Sequence, residues 1–436
     1  MELNGTMEID GDGVLNIAGI DVCTLAEDFG TPLIVMDEAE IRSNIRSYIE
    51  AFEKYYDDYM VLYAGKAFYN RTLFRIMADE GAGIDVVSGG ELYTALEADF
   101  PVEKIYFHGN NKLSEEIEMG LDCNIGRFVV DNMCEVKLLE KLAAKKDSKI
   151  KVDIRLTPGI EAHTHEFIQT GQIDSKFGVS LVENQALNLV KEIVKNENMI
   201  LKGLHAHIGS QIFDILPYKK LVEVMFDFMV KVREETGKEI SELDFGGGLG
   251  ISYVSQDDPP AVDEFVRELC KKVKVIAEER NYSLPRIIVE PGRSIVGTAG
   301  TTLYKVGSIK QVPGMTRYAA VDGGMTDNIR PALYDAVYDA FVANRADENV
   351  EEVYTIAGKC CESGDILIKD IELPLLKPGD LIAVTSTGAY TYAMSSNYNG
   401  VPRPAVVLVN EGEANVIIER ENFEDLIKND VIPSGY

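Results

Sequence analysis

Lys66 ends an apolar, strand-like stretch, residues 60–66, and is followed by alanine and two aromatic residues. No residue of that run supplies a carboxylate partner, so the amine is expected at the mouth of an apolar interior. Desolvation disfavours the ammonium form and lowers the pKa of a lysine, which makes its amine a usable nucleophile toward aldehydes. A single lysine at a strand end more often extends its charge into solvent. Covalent chemistry at Lys66 therefore depends on what accompanies it elsewhere in the chain.

Two glycine-containing segments could bind a phosphate group. The run Gly-Gly-Gly-Leu-Gly at 246–250 lets backbone amides, including those of Gly247 and Gly248, approach an anion closely. Gly292 and Arg293 follow the next predicted strand and add a second source of amides and a permanent cation. Glycine-rich turns after strands are common without any ligand, so neither segment is specific alone.

An amine, a phosphate cradle and a carboxylate together describe a site for pyridoxal 5′-phosphate (PLP). Lys66 would form a Schiff base, and Glu290 would keep the pyridine nitrogen protonated so that the ring can accept electrons. His207 is the natural partner for the flat face of that ring. His205 and His207 share one face of a strand, so a metal pair is the alternative. We expect no metal, because no third ligand of suitable spacing appears in the sequence.

The elements that must position these residues are those of a barrel. Eight strand-like runs, most of them separated by stretches with helical periodicity, span about 260 residues. This number of units and this length are typical of a (β/α)8 TIM barrel. A doubly wound sheet also alternates but rarely needs eight such units. The carboxyl ends of barrel strands carry the active site, and Asp85 and His108 also lie at such ends. The predicted strands are residues 60–66, 83–88, 104–108, 127–131, 151–157, 202–207, 242–246 and 286–290.

The pattern changes after about residue 300, where short β-like runs and turns replace long helices. Such a pattern is typical of a mostly antiparallel domain. Residues 1–36 also alternate in a β manner and precede the first helix of the barrel. We therefore expect an α/β chain with a barrel at 37–300 and a discontinuous β-domain formed from the N-terminal and C-terminal segments, 1–36 and 301–436.

The composition of the chain excludes some classes of binding partner for this protein. The 436 residues carry a formal net charge of −29, a field that repels nucleic acid and anionic membranes. No stretch approaches the roughly 18 apolar residues of a membrane span, and residues 1–13 do not resemble a signal peptide. The six cysteines are scattered without CxxC spacing. A cytoplasmic enzyme acting on a small molecule fits these features best.

Seven segments resemble the fold-type III PLP-dependent decarboxylases, the group that includes ornithine and arginine decarboxylases. They run through nearly the whole chain in the family's order, and one departure is Phe68, where the commoner pattern has asparagine. The resemblance implies an alanine-racemase-like barrel with a β-domain, and an obligate homodimer whose active sites lie at the interface. The segments are residues 63–67, 205–211, 246–250, 290–293, 328–334, 360–365 and 388–390.

The resemblance also implies a role for each matching residue. Lys66 and Cys361 are the catalytic residues, with Cys361 the proton donor, contributed together with Glu362 by the neighbouring subunit. The far end of the substrate is held by Arg293, Arg330 and Tyr334, and its amine by Glu362. Tyr390 touches both the phosphate and the substrate. The implied cofactor-binding residues are Lys66, His207, Ser210, Gly247, Gly248, Glu290, Pro291, Gly292, Arg293 and Tyr390.

The substrate implied by this set is meso-2,6-diaminoheptanedioate, decarboxylated to L-lysine and CO2 in the last step of lysine biosynthesis. Such a substrate carries a second amino-acid head group, which needs cations for a carboxylate and an anion for an ammonium. Arg293 and Arg330 can supply the cations, and Glu362 can supply the anion.

Three alternatives remain open at this level. An ornithine, arginine or carboxynorspermidine decarboxylase is the first of them. The simple diamino acids have no distal carboxylate, however, and the ornithine group typically has aspartate where Glu362 stands. An amino-acid racemase would need a second catalytic base, usually a tyrosine. A non-catalytic PLP-binding homologue would have no need to retain both Lys66 and Cys361.

Overall fold

The computed structural model describes residues 3–160 and 174–436, which form two compact units. The first, here called the barrel unit, comprises Ser43–Ile251 and Asp258–Ile295. The second, here called the β unit, comprises Met1–Arg42, Ser252–Asp257 and Val296–Tyr436. The domain limits of 37–300, 1–36 and 301–436 stay a prediction.

The barrel unit contains eight parallel strands, each hydrogen-bonded to the next, and the eighth pairs with the first. The sheet is therefore closed, and the predicted (β/α)8 barrel is confirmed. Four side chains from four different strands, Leu62, Tyr106, Val129 and Ile288, fill part of its interior. The strands are β1 (Tyr59–Ala64), β2 (Gly83–Val86), β3 (Ile105–Phe107), β4 (Arg127–Val130), β5 (Ile150–Thr157), β6 (Met199–His205), β7 (Glu242–Asp244) and β8 (Arg286–Val289).

Side-chain caps fix where several helices begin after these strands. Asn70, Ser88 and Asn132 each accept a hydrogen bond from the backbone NH group three residues later, after β1, β2 and β4. Such caps satisfy NH groups that the first turn of a helix leaves unpaired. The helices after residue 37 and up to the end of the barrel sequence are Glu38–Tyr55, Arg71–Asp79, Gly89–Leu96, Ser114–Cys123, Met133–Lys145, Gln185–Lys195, Leu216–Thr236, Val262–Glu279 and Arg293–Val296. Short 3-10 turns lie at Gly65–Ala67, Val102–Lys104 and Val182–Asn184, and a short strand, Val179–Ser180, pairs with β5.

In the β unit, strands from the N-terminal and C-terminal segments of the chain pair in one sheet. Leu33–Asp37 pairs antiparallel with Gly300–Gln311 and parallel with Ala405–Asn410. Most of the other pairings are antiparallel, which confirms the predicted class of this part of the fold. Its further strands are Glu8–Ile9, Leu15–Ile17, Ile20–Asp21, Arg317–Val321, Ala340–Val342, Glu352–Ala357, Ile366–Leu373, Leu381–Val384 and Glu413–Ile418.

The helical elements of the β unit are few and short. Its core contains the buried side chains of Leu33, Leu303 and Val407, which come from the three strands that join the chain ends. The helices are Val22–Phe29, Arg330–Tyr334 and Phe423–Ile427, with 3-10 turns at Ala343–Arg345, Tyr392–Met394 and Tyr398–Gly400. Among the described residues of both units, no helix has the length and apolarity needed to cross a membrane.

Candidate active site

Lys66 lies in a short 3-10 turn, Gly65–Ala67, directly after β1. The strand ends at Ala64 and not at residue 66 as predicted, because the chain turns tightly here: a Cβ atom on Gly65 would lie 3.0 Å from the carbonyl oxygen of Asp85. The Lys66 Nζ atom lies 3.6 Å from a carboxylate oxygen of Asp85, which is fully buried at the end of β2. We expected the Lys66 amine to have no carboxylate partner. This is true within β1, but β2, the neighbouring strand, supplies Asp85 as a partner.

Glu290 follows β8 and is buried between two histidines. His108 Nε2 lies 2.7 Å from one carboxylate oxygen of Glu290, and His205 Nε2 lies 3.2 Å from the other. Burial opposes ionisation of Glu290, but the two histidines outweigh it and hold the pKa of that carboxyl well below its usual range. These contacts favour the ionised form of Glu290, and its role opposite a pyridine nitrogen stays a prediction.

Asp244, the last residue of β7, completes this buried cluster. Burial, followed by the charge of Glu290, raises the pKa of Asp244 well above its usual range. The backbone NH of Gly246 donates to Asp244 Oδ1 at 2.8 Å, which opposes this rise. Ligand atoms of His108, His205, Asp244 and Glu290 all lie within 4.8 Å of one another, a spacing that could hold a metal ion. The absence of a metal therefore stays a prediction, and His207 is not part of this cluster.

The glycine loop after β7 packs against two neighbouring loops so closely that side chains would not fit. A Cβ atom on Gly247 would lie 2.1 Å from the carbonyl oxygen of Glu290, and one on Gly248 would lie 2.4 Å from that of Gly209. Gly248 also has a φ of +111°, which L side chains rarely adopt. Both positions therefore exclude a side chain, because it would collide with the backbone of a neighbouring segment.

A hydroxyl and a guanidinium are paired in the same unit. Arg293 donates two hydrogen bonds to Ser210 Oγ, of 2.9 Å from Nη2 and 3.2 Å from Nε. The backbone NH of Ala64 donates to the carbonyl of Pro291 at 3.0 Å, and a Cβ on Gly292 would lie 2.9 Å from the Ala64 Cβ. These contacts tie the segment after β8 to the segment that carries Lys66. The barrel unit thus brings the predicted amine, carboxylate, glycines, hydroxyl and cation together.

His207 is half-buried, and its pKa lies well below the usual value, because burial and then the nearby charge of Lys66 disfavour its protonation. A neutral imidazole presents a flat, uncharged face to a neighbouring ring. The donor set of this unit, an amine, an ionised carboxylate, a neutral imidazole and a glycine cradle with Arg293, fits PLP.

The remaining predicted site residues lie in the β unit. Arg330 begins a five-residue helix and is buried, whereas Tyr334 at its end is half-buried. Tyr390 is half-buried and adopts a φ of +60°, a conformation that is costly for a side chain of its size. Strain of this kind is typical of residues whose position matters for function.

Cys361 and Glu362 are both exposed, on a loop that a buried aspartate organises. Asp365 accepts hydrogen bonds from the backbone NH groups of Met325 (2.6 Å) and Cys360 (2.8 Å). The Cys361 NH donates to the side chain of Asn399 at 2.7 Å. The loop is therefore held at its base while its thiol and carboxylate point outward.

The sequence placed Asp85 and His108 at strand ends without a role, and it gave no role to Asp244. A signal existed for each, because the carboxyl ends of barrel strands carry the active site. Their partners could not be read from the chain, since each contact joins strands far apart in sequence.

Comparison with known proteins agrees with this geometry. Residues 41–297 match the family of the pyridoxal-dependent decarboxylase, pyridoxal binding domain. The diaminopimelate decarboxylase of Bacillus subtilis (strain 168) is 49% identical over 431 residues, which cover 99% of this chain and 98% of that protein.

Solved structures give the same result. The crystal structure of diaminopimelate decarboxylase from M. jannaschii in co-complex with L-lysine superposes with a TM-score of 0.93 at 39% identity, over 99% of each chain. That of the Helicobacter pylori enzyme complexed with L-lysine gives 0.84 at 32% identity, over 93% of this chain and 98% of that one. This chain therefore belongs to the diaminopimelate decarboxylase family of pyridoxal-dependent enzymes.

Proposed function

We propose that this protein decarboxylates meso-2,6-diaminoheptanedioate to L-lysine and CO2 with PLP as cofactor, the last step of lysine biosynthesis. Family membership supports the reaction, and relatives that bind L-lysine support the product. The observation that favours this substrate over simple diamino acids is Arg330, a buried arginine that forms no ion pair with a carboxylate among the described residues. A substrate with a distal carboxylate supplies the missing anion.

The barrel unit would hold the cofactor through side chains that its strand ends position. Lys66 would carry it covalently, Glu290 would keep a proton on its pyridine nitrogen, and His207 would cover one face of its ring. When bound, PLP accepts the electron pair that the departing carboxylate leaves behind. The other proposed contacts are the backbone of Gly247, Gly248, Pro291 and Gly292 and the side chains of Ser210, Arg293 and Tyr390.

The β unit would supply the groups that bind the substrate and protonate it. Arg330 and Tyr334, together with Arg293, would bind the distal carboxylate, and Glu362 would bind the distal ammonium. Cys361 would deliver a proton to the carbon that has lost its carboxylate.

We infer a homodimer in which Cys361 and Glu362 act in the partner's site, because both are exposed on a loop with a fixed base. The six cysteines are free, which supports a reducing compartment, the cytoplasm.

A substrate panel tests the proposed reaction. Release of CO2 is measured with meso-2,6-diaminoheptanedioate, L-lysine, L-ornithine and L-arginine at equal concentration and saturating PLP. We expect turnover of the first compound alone, because only it carries a distal carboxylate for Arg330 together with a second carboxylate that can leave. Turnover of ornithine or arginine with an inert diaminoheptanedioate would refute the substrate assignment.

Replacing Glu290 with glutamine is expected to weaken PLP binding and to lower turnover by about 10²-fold, because the amide cannot hold the charge opposite a pyridinium. Glu91→Gln is a matched control: Glu91 is also buried in the barrel unit and accepts a hydrogen bond from the Val87 NH at 2.7 Å, which glutamine can still accept. Equilibrium dialysis with PLP and steady-state kinetics check both variants. Equal effects of the two changes would show that Glu290 acts only through stability.

A further inference from the structure

The guanidinium of Arg330 lies against two aromatic rings of the β unit. Its Cζ atom is 4.8 Å from the ring centre of Tyr253 and 5.5 Å from that of Tyr338. Arg330 Nη1 also donates a hydrogen bond to the Tyr338 hydroxyl. The two rings meet edge to face, with centroids 5.2 Å apart and planes at 83°. All three side chains are at least nine-tenths buried. We call Tyr253 and Tyr338 the tyrosine pair.

This environment differs from that of a structural buried arginine in the same chain. Arg127 of the barrel unit is buried to a similar degree, and its guanidinium is 3.1 Å from Glu242 Oε2 through Nε and 3.7 Å from Asp153 Oδ1. Within the described residues, no carboxylate lies at ion-pair distance from Arg330. Buried charges are ordinarily paired, because removing an ion from water without a counter-ion is costly.

The tyrosine pair offsets part of that cost without neutralising the charge. Burial opposes the charged form of Arg330, yet the contacts with Tyr253 and Tyr338 outweigh it and raise the pKa of the guanidinium above its ordinary value. A ring face attracts a cation through its quadrupole, and the Tyr338 oxygen accepts one of the five NH donors. Arg330 thus keeps its full positive charge for an anion that the described residues do not provide.

Backbone contacts fix the pair in place. The Asp339 NH, next to Tyr338, donates to the Tyr253 carbonyl at 3.2 Å, and the Thr385 NH donates to the Asp339 carbonyl at 3.1 Å. The Tyr253 NH in turn donates to the Asp257 side chain at 2.8 Å. Two segments far apart in the sequence are therefore held in register, and the plane of the guanidinium is constrained between their rings. A fixed plane favours bidentate carboxylate binding, because the two NH donors then need no reorientation.

We propose that Tyr253 and Tyr338 are positioning residues that hold Arg330 charged and oriented for the distal carboxylate of the substrate, and thereby set the preference for ligands with that carboxylate. The proposal rests on the function proposed above, in which Arg330 binds that group. It adds two residues that the sequence did not single out, one of them from the short Ser252–Asp257 segment.

The test compares two ligands that differ by one carboxyl group. L-Lysine carries the carboxylate, and 1,5-diaminopentane is the same molecule without it. Inhibition constants for both are measured on the holoenzyme, together with KM and kcat for meso-2,6-diaminoheptanedioate. The variants are Tyr338→Phe, which removes only the hydroxyl, and Tyr253→Leu, which removes a ring. Tyr354→Phe is the control, because Tyr354 is also a buried tyrosine of the β unit with an arginine, Arg317, over its ring at 5.6 Å and a hydroxyl that accepts a hydrogen bond.

We expect each variant of the pair to raise KM and the L-lysine constant by about 5- to 10-fold, from the loss of one contact to a charged group. The constant for 1,5-diaminopentane, kcat and the absorbance of bound PLP should change less than about twofold, as should every value for Tyr354→Phe. In an Arg330→Gln background the tyrosine changes should have no further effect on L-lysine, since residues that act through one group are not additive.

Three outcomes would overturn the proposal: equal weakening of both ligands, equal effects of Tyr354→Phe, or additive losses in the Arg330→Gln background. Should Tyr253→Leu fail to fold, Tyr338→Phe decides alone, because it leaves the ring packing intact. Failure of the wild-type protein to turn over meso-2,6-diaminoheptanedioate would instead refute the function. The ligand comparison would still report separately on the tyrosine pair.

Discussion

Replacing Lys66 with alanine is expected to reduce CO2 release from meso-2,6-diaminoheptanedioate by at least about 10³-fold, because the chain then lacks the amine that we propose to hold the cofactor covalently and to exchange it with the substrate. PLP should still bind, more weakly, through the glycine loop, Arg293 and Glu290. Borohydride treatment followed by mass spectrometry of peptides measures the covalent link. The wild-type protein should gain the mass of reduced cofactor on the peptide that contains Lys66, and the variant should gain none.

Two controls separate chemistry from stability at this position. Lys219→Ala removes another lysine of the barrel unit with a comparable exposed fraction, 32% against 39%, and with a carboxylate partner, Glu268. It should leave activity unchanged. Removing Lys66 also withdraws the positive charge 3.6 Å from the buried Asp85, whose pKa is already raised by burial. The double variant Lys66→Ala/Asp85→Asn should therefore recover thermal stability but not turnover.

Recovery of activity in that double variant, or full activity in Lys66→Ala, would show that the amine is not the covalent residue. A labelled peptide other than the one containing Lys66 would lead to the same conclusion. Loss of activity that follows the unfolding temperature in both variants would assign Lys66 a structural role.

The barrel could be predicted because its information is local. Each strand is a short apolar run, and each is followed by a turn or helix whose first residues are recognisable, as at Asn70 and Asn132. The limits of strands were less accurate: β1 ends at Ala64 because Gly65 must pass close to the backbone of Asp85. That contact crosses to the next strand, and periodicity along one strand does not contain it.

The electrostatic environment of the site was the least predictable part. Glu290 was recognised as a carboxylate, but the histidines that keep it ionised come from β6 and from the loop after β3. Closure of the barrel brings these side chains together. No pattern in the sequence predicts how strands far apart in the chain are aligned with one another. The sequence also could not place Tyr253 beside Arg330. Ser252–Asp257 interrupts the barrel sequence and yet packs in the β unit.

Substituting Cys361 with alanine is expected to lower turnover by about 10²- to 10⁴-fold, the range of a lost general acid, while PLP binding is retained. Cys360→Ala is the matched control: its neighbouring thiol is half-buried, and burial raises its pKa to about 11, so it is a poor proton donor to a substrate. Absorbance of the bound cofactor and steady-state kinetics distinguish the two. Equal activity of the Cys361 variant and the wild type would remove the proposed role.

The same variant tests whether sites are shared between subunits. If Cys361 acts in the partner's site, a mixture of Lys66→Ala and Cys361→Ala subunits, unfolded and refolded together, contains dimers with one intact site. With random pairing half of the dimers are mixed, so activity should recover to about one quarter of the wild-type value. Native mass spectrometry confirms that mixed dimers are present. Mixed dimers without recovery would mean that Lys66 and Cys361 of the same chain form each site, and the exposed loop anchored by Asp365 would then serve its own subunit.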